Sequence, residues 1–345
     1  MSEIVLKTNG KIHAGWKSVV VRLSIESIAD LFDLTITERW SDDNTRRPIQ
    51  SDTPCEIWID DTKVVTGNVD EVAPEYDANQ HEINIIGRSK LGDLVDCAIE
   101  PKSWKNQPLD KLANIICEPF GIKVIVETDV GKPFKKASVN GGESPFEFLE
   151  RLARIRAVRL MSDREGNLVI TRAGTQRIKT ALVLGENILR ASGTFSSRDR
   201  FSDYTVLGQN AGTDNAFGAS ASENKGTSKD TKITRHRPMV SVVDGTVDSD
   251  DCKKRAQWER NTRYGRSRAV VYTVMGWRHA EGLWLPNKMV PVKDEYLGID
   301  EDRLITTVQF GIDESQGEVT EIQVMPKEAF ELVELPEESD DGGWG

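Results

Sequence analysis

Cysteine and histidine, which bind transition metals and supply disulfides or nucleophile–base pairs, are scarce in this chain. Its 345 residues include only four cysteines and four histidines. Cys55, Cys97, Cys117 and Cys252 are far apart and form no CxxC pair, so the sequence indicates neither a zinc site nor a disulfide framework. We therefore expect buried or half-buried free thiols.

Long apolar runs are also absent. No stretch approaches the ~20 apolar residues that a membrane helix needs, and the N-terminal MSEIVLKTNG lacks the apolar core of a signal peptide. Hydrophobic residues make up 38% of the chain and charged residues 29%, as in ordinary soluble proteins. We expect no membrane insertion by this chain and synthesis in the cytoplasm.

Basic residues are fewer than acidic ones. Lys and Arg number 45 against 56 Asp and Glu, which gives a net charge of −11 and argues against nucleic-acid binding through a global positive potential. Two local basic runs, over 151–159 and 253–268, oppose this average. Their members are Arg151, Arg154, Arg156 and Arg159, then Lys253, Lys254, Arg255, Arg260, Arg263, Arg266 and Arg268. Solvation or pairing within the chain is one interpretation, and docking to acidic partner subunits or to a phosphate backbone is the other.

Known catalytic signatures are missing as well. The chain has no GxxxxGK[ST], GxGxxG, GxSxG or HExxH motif. His81, His236 and His279 have no partner at metal-ligand spacing, and 56 acidic residues make any one carboxylate pair weak evidence for a glycosidase. We therefore assign no catalytic, cofactor-binding or metal-binding residue and expect a protein that is not an enzyme.

The first ninety residues alternate apolar and polar side chains in short runs, which predicts antiparallel strands in a rolled or barrel-like sheet. Asn9-Gly10 is expected to turn the chain between the strands Glu3–Thr8 and Lys17–Ser24. Asp60-Asp61 is expected at the tip of a later hairpin.

The pattern changes after Gly92. Pro108–Glu118 carries a helical apolar stripe, and Ser144, Pro145 and Glu147 form the capping box of a second helix. A hairpin between Val158–Met161 and Leu168–Thr171 follows. This segment predicts a compact α+β unit.

These patterns predict an α+β, β-rich, multidomain chain with two barrel-like antiparallel β domains and a two-layer α+β domain. Residues 209–229 contain almost no large apolar side chain and predict a long exposed loop, and 249–264 predicts a helix. The expected divisions are 1–92 for an N-terminal β domain, 93–176 for the α+β domain, 177–265 for a third domain, 266–332 for a C-terminal β-rich domain, and 333–345 for a disordered acidic tail.

Four segments resemble parts of Mu-like phage baseplate hub proteins, in the same order. Gly67–Asp96 (GNVDEVAPEYDANQHEINIIGRSKLGDLVD) is similar to the end of their first domain, and Ser144–Ile170 is similar to their second. Phe195–Gln209 and Leu283–Phe310 fit the third and fourth parts. The second segment also resembles hub domains of contractile tails and type VI secretion spikes.

This resemblance implies a structural protein without catalytic residues. Family members form homotrimers, whose paired similar domains make a pseudo-sixfold ring that joins a sixfold tail tube to a threefold spike. The ring encloses a passage for DNA. The implied partners are the tail tube protein, the central spike protein and other baseplate proteins, and the implied location is the tail baseplate of a virion made in the bacterial host cytoplasm.

Two alternatives stay open at the level of sequence. A tail-associated peptidoglycan hydrolase would place a paired-carboxylate cleft in the α+β unit. A hub of a type VI-like secretion spike would continue into a needle, for which the chain leaves no room before Gly345. We therefore expect spike and hydrolase to be separate gene products.

Overall fold

The computed structural model describes residues 3–37, 49–77, 81–209, 223–246, 249–313 and 317–334. Strands dominate it. The first twelve are β1 Ile4–Thr8, β2 Lys11–His13, β3 Ser18–Ser24, β4 Leu31–Thr37, β5 Thr53–Ile59, β6 Thr62–Tyr76, β7 His81–Ser89, β8 Ser103–Gln107, β9 Val124–Val126, β10 Phe134–Ser138, β11 Arg159–Ser162 and β12 Leu168–Thr171. The others are β13 Leu182–Val183, β14 Ile188–Phe195, β15 Asp203–Gln209, β16 Glu223–Lys229, β17 Pro238–Thr246, β18 Arg268–Met275, β19 Arg278–His279, β20 Gly282–Leu283, β21 Met289–Asp294, β22 Ile299–Asp313 and β23 Gly317–Met325. The helices are α1 Asp93–Asp96, α2 Leu109–Cys117, α3 Pro145–Ile155 and α4 Ser249–Arg266, with short 3-10 turns at Lys90–Gly92, Glu118–Phe120 and Lys327–Ala329.

One large sheet contains strands from both ends of the chain. Its strand order is β14-β18-β23-β22-β3-β4-β7-β6-β5-β1-β2, with β21 and β13 attached beside β22. The predicted N-terminal and C-terminal β regions therefore meet edge to edge, where β22 pairs antiparallel with β3 from Thr307 opposite Ser24 to Gly311 opposite Val20. One continuous hydrophobic core extends across this seam.

The prediction of barrel-like β domains differs from the structure. Each sheet path within the described residues is open, and none closes into a barrel. The reason is the seam: β3 and β22 pair with each other, so the two β regions extend one sheet instead of closing separately.

The turn at Asn9-Gly10 is present, but its second strand was predicted wrongly. Both turn residues have positive φ, 50° and 72°, as a tight hairpin turn requires. They connect β1 to the short β2 rather than to the Lys17–Ser24 strand, because β3 pairs instead with β4 and β22. The hairpin predicted at Asp60-Asp61 is confirmed between β5 and β6.

The α+β segment has a hydrophobic core of its own. The helices α2 and α3 pack against the sheet β11-β12-β9, and the predicted hairpin of β11 and β12 is confirmed. Ser144 accepts a hydrogen bond from the Glu147 amide, and the Glu147 carboxylate accepts one from the Ser144 amide. This reciprocal cap fixes the start of α3, whose Phe148, Leu149 and Leu152 are buried.

The long loop predicted over 209–229 is wrong for its last seven residues. Glu223–Lys229 forms β16, which pairs with β15 in the sheet β16-β15-β17, and α4 packs on this sheet through Cys252 and Ala256. A Cβ at Gly226 would lie 2.1 Å from the Cys252 backbone, so the helix can approach because the strand lacks side-chain bulk there. Residues 210–222 lie outside the described residues. The helix predicted over 249–264 is confirmed and continues to Arg266.

The cysteine prediction holds for three of four positions. Cys55, Cys117 and Cys252 are buried free thiols, whereas Cys97 is exposed just after α1. Most of the acidic tail predicted over 333–345 lies outside the described residues, which include only Val333 and Glu334 of it.

Candidate interaction surfaces

A cleft of about 840 Å³ lies between α3 and α4. Its walls come from parts of the chain that are remote in sequence: residues 25–28 after β3, α3 with the start of β11, and α4. Ala329, Leu332 and Val333, which follow β23, line it as well. The cleft is therefore where the β-sheet, the α+β segment and the C-terminal segment meet.

Both basic runs of the sequence reach this cleft. Its charged lining consists of five arginines and four acids: Arg154, Arg159, Arg255, Arg263 and Arg266 with Glu26, Glu150, Asp199 and Glu259. The first run contributes two of these arginines and the second contributes three. Sequence alone identified the arginines but gave no signal that they share one cavity.

Three of the five arginines are paired inside the cleft. Arg154 lies 2.7 Å from Glu150, while Arg255 and Arg263 share Glu259 at 3.3 and 3.4 Å. Arg159 and Arg266 form no ion pair within 4 Å in the described part of the chain. Since five arginines face four acids, the cleft keeps one excess positive charge.

Arg159 is the most shielded cation of the cleft. Its guanidinium lies 4.7 Å from the ring centroid of Phe330, and its Nε has no hydrogen-bond partner among the described residues. Burial lowers the pKa of Arg159 to about 10, the charge of Glu26 opposes this lowering, and the neighbouring Arg266 adds to it. An acceptor or a negative charge in the cleft would stabilise this side chain.

Other members of the basic runs are bound within the chain, which confirms the pairing interpretation for them. Arg151 donates to Glu143 over 2.9 Å, and the Arg156 guanidinium lies 4.0 Å from the Phe134 ring centroid. Lys254 lies 3.4 Å from Asp251, and Arg268 lies 5.2 Å from the ring centroid of Phe195. These side chains are therefore occupied by partners within the chain.

Several backbone edges of the large sheet are unpaired in the described residues, including the end strands β14 and β2 and the distal half of β6. β14 pairs only with β18, and all its residues after Ile188 are exposed, including Leu189 and Phe195. The distal half of β6, from Glu71 to Tyr76, pairs with β7 on one side, but β5 stops opposite Val69 on the other. Such edges present free N–H and C=O groups to another strand. Sequence analysis missed β14, because its polar and small residues carry little alternation.

The two ends of the large sheet differ in what covers them. At one end Tyr76, Met275 and Ile312 expose 73%, 68% and 37% of their surface. At the other end the α+β segment covers β6: Thr66 donates to the Arg164 carbonyl over 2.8 Å, and Lys63 pairs with Glu165 at 2.8 Å. We call these the open end and the covered end.

Potential catalytic groups are dispersed. His81 stacks on Tyr76 and His279 packs against Trp284, whereas His236 lies in the loop before β17. The described residues contain no cluster of three or more His, Cys, Asp or Glu side chains suited to a metal ion. In the same part of the chain, no helix has the length and apolar character to cross a bilayer.

Four family models match successive parts of the chain. Residues 3–89 match the Mu phage baseplate assembly protein GpP-like N-terminal model, and 91–172 match the second domain of the gp44-like baseplate hub protein. Residues 200–258 match the third domain of the NMB1110-like tail protein, and 248–333 match the fourth domain of GpP. Their order along the chain is that of the resemblance noted above.

Whole-chain relatives agree with these matches. The baseplate hub protein gp44 of Escherichia phage Mu is 32% identical, over 98% of this chain and 90% of its own length. The 43 kDa tail protein of prophage MuSo2 from Shewanella oneidensis is 39% identical, with a TM-score of 0.86 over 96% of this chain and 100% of that one. A tail protein from Neisseria meningitidis MC58 is 24% identical, with a TM-score of 0.80 over 95% of this chain and 98% of that one. The chain belongs to the family of Mu-like phage baseplate hub proteins.

Proposed function

We propose that this chain is the structural hub of a contractile phage or prophage tail baseplate and acts as a homotrimer. In this proposal the trimer forms a ring that adapts the sixfold tail tube to the threefold spike. The observation that carries it is that two edges of the sheet are open: β14, at one end of the strand order, and the distal half of β6, where β6 extends past β5. Pairing β14 of one copy with β6 of the next satisfies both edges and closes without a free end in a cyclic oligomer.

The segment of β6 that would take part has the composition of an edge. Pro74 lies in it, and proline, which has no N–H, is confined to edges and bulges of sheets. The exposed Leu189 and Phe195 on β14 would be covered in the same interface. Each chain contributes two β regions joined at the β3–β22 seam, so three chains would present six such regions.

We further propose the division of the chain into 1–92, 93–176, 177–265, 266–332 and 333–345. The separate hydrophobic core around α2 and α3 supports the second unit, and the small core between α4 and the sheet of β15 supports the third. The first and fourth units share a core, so we expect them to unfold together.

The difference between the two ends of the sheet suggests where other baseplate proteins bind. The open end offers exposed apolar side chains and strand ends, which suit stacking against the ring of the tail tube. The covered end carries the α+β segment and α4, so the spike would meet these elements instead. Both contacts would place the protein in the virion baseplate, after synthesis in the host cytoplasm.

Passage of DNA through the ring requires weak contact with it. Tight phosphate binding would arrest a sliding polyanion, and a net charge of −11 per chain opposes adhesion. The charge balance and the internal pairing of many basic residues support passage without retention. Submicromolar, salt-sensitive binding of duplex DNA to the purified protein would contradict this part of the proposal.

A structural rather than enzymatic role is supported by the acids themselves. Burial raises the pKa of Asp30 to about 8, but this carboxyl is enclosed between β3, β7 and the Ser162 hydroxyl and cannot reach a polymer substrate. In the cleft, Glu150 and Glu259 are held by arginines. Release of fragments from purified cell walls by the protein would favour the hydrolase alternative.

The oligomeric mass tests the hub proposal. Light scattering should give about three times 38.5 kDa, unchanged on moderate dilution, because obligate interfaces commonly bury more than ~2,000 Å². Leu189→Asp on β14 should shift the mass towards the monomer. Val126→Asp, at an equally exposed apolar residue of β9, is the matched control and should leave the trimer intact. A stable wild-type monomer at micromolar concentration would contradict the proposal.

A further inference from the structure

The cleft between α3 and α4 has an excess of positive charge and unsatisfied polar groups. Arg159 and Arg266 have no carboxylate partner within 4 Å among the described residues, and Arg159 Nε and Thr262 Oγ1 lack hydrogen-bond partners there. Trp258 and Phe146 add aromatic surface. These groups suit a peptide that carries carboxylates and apolar side chains.

The C-terminal segment of the chain leads to this cleft. After β23, the 3-10 turn Lys327–Ala329 packs on α4, where a Cβ at Gly265 would lie 2.5 Å from the Ala329 Cβ. Trp258 Nε1 then donates to the Glu331 carbonyl over 2.6 Å, and Leu332 and Val333 line the cleft. The residues that come next start at its rim.

The sequence that follows has the complementary charge. Residues 335–345 read LPEESDDGGWG, with Glu337, Glu338, Asp340 and Asp341 and no Lys or Arg. From Leu335 to Asp341 the chain can extend about 25 Å at most, so these acids stay near the cleft. Attachment to the same chain gives them an effective concentration of about millimolar, at which weak ion pairs suffice for binding.

We propose that residues 335–345 dock in the cleft between α3 and α4 of their own chain, with their carboxylates facing Arg159 and Arg266. The acidic segment thereby brings carboxylates to two arginines that have none within 4 Å in the described part of the chain. The cleft is then an internal peptide-binding site, and an acidic partner that used it would have to displace this segment.

Cleavage of the full chain by a glutamate-specific protease tests the proposal, since docking protects Glu337 and Glu338. Arg266→Gln removes an exposed cleft cation, and Asp340→Asn with Asp341→Asn removes tail charge while keeping both cleavage sites. Each change should speed cleavage after Glu337 and Glu338 about threefold, the loss of a modest ion pair. The combined variant should be cleaved scarcely faster than either single variant, because both changes break the same interaction between the tail and Arg266.

Controls separate docking from other causes of faster cleavage. Arg235→Gln, at an exposed arginine outside the cleft lining, should cleave at the wild-type rate, and Arg266→Lys should stay near it because the charge is kept. Equal rates for all variants, or fully additive effects in the combined variant, would overturn the proposal. Protection that grows with protein concentration would assign the segment to a neighbouring copy and would also overturn it.

Discussion

Val21 of β3 lies directly opposite Phe310 of β22, and both side chains are fully buried. The pair joins the N-terminal and C-terminal β regions at the centre of the seam. Phe310→Ala should lower the free energy of unfolding by ~3–5 kcal/mol, because it removes a large apolar side chain and leaves a cavity.

Arg22, which follows Val21 in β3, supplies the control for this prediction. Its side chain is exposed, so Arg22→Ala should change the free energy of unfolding by no more than ~0.5 kcal/mol. Both variants can be compared by urea denaturation. The seam unites the two β regions in one core. The Phe310→Ala variant should therefore still unfold both regions in a single unfolding transition. Separate melting of the two regions in wild-type protein would contradict that description.

The buried face of α3 gives a second prediction. Leu152 is 2% exposed, whereas Arg154 is exposed on the same helix and pairs with Glu150. Leu152→Ala should cost ~2–5 kcal/mol of unfolding free energy, and Arg154→Ala well under ~1 kcal/mol. Thermal unfolding of both variants measures the contrast. Equal losses would mean that α3 packs through a different face.

A third prediction concerns pH. Burial raises the pKa of Asp30 to about 8, against an ordinary value of 3.8. Between about pH 4 and 8, Asp30 therefore keeps its proton in the folded chain, whereas the unfolded chain has released it. As the pH rises through this window, the free energy of unfolding that Asp30 contributes at low pH is lost. Asp30→Asn removes the titration and should flatten the curve of unfolding free energy against pH.

The expected difference between the two curves is on the order of a few kcal/mol across that window. Chemical denaturation at several pH values from 4 to 9 measures it. Parallel curves for wild type and Asp30→Asn would show that this carboxyl does not carry the proton in the folded state.

A fourth prediction tests the close contact between α4 and the C-terminal segment. A Cβ at Gly265 would lie 2.5 Å from the Cβ of Ala329 and 2.8 Å from its amide nitrogen. Gly265→Ala should cost ~1–3 kcal/mol by overpacking, even though alanine favours the helix by about 1 kcal/mol. Gly141→Ala is the control, since a Cβ there meets no atom within 4 Å and φ is not positive. Ala329→Gly added to Gly265→Ala should restore part of the loss.

Local signals explain which elements could be predicted from sequence. The cap of α3 involves Ser144 and Glu147, three residues apart, so the sequence contains the whole interaction. The hairpin at Asp60-Asp61 is local in the same way. Neither prediction required knowledge of how distant segments pair.

Long-range pairing explains what sequence could not give. The polar strand Glu223–Lys229 has no apolar alternation, and it forms because its backbone pairs with β15 while Gly226 admits α4. The seam of β3 with β22 joins residues from opposite ends of the chain. Likewise, composition marked the arginines, but only the fold brings Arg159 and Arg266 to one cleft.

The seam between β3 and β22 also has a mechanical meaning. In an antiparallel pair the hydrogen bonds run across the strands, so a pull along the strand axis loads all the seam's bonds in shear at once. A sideways force would instead break them one after another, as in opening a zipper. A chain built in this way resists axial load far better than lateral peeling, and its weakest direction is the one that spreads its two β regions apart.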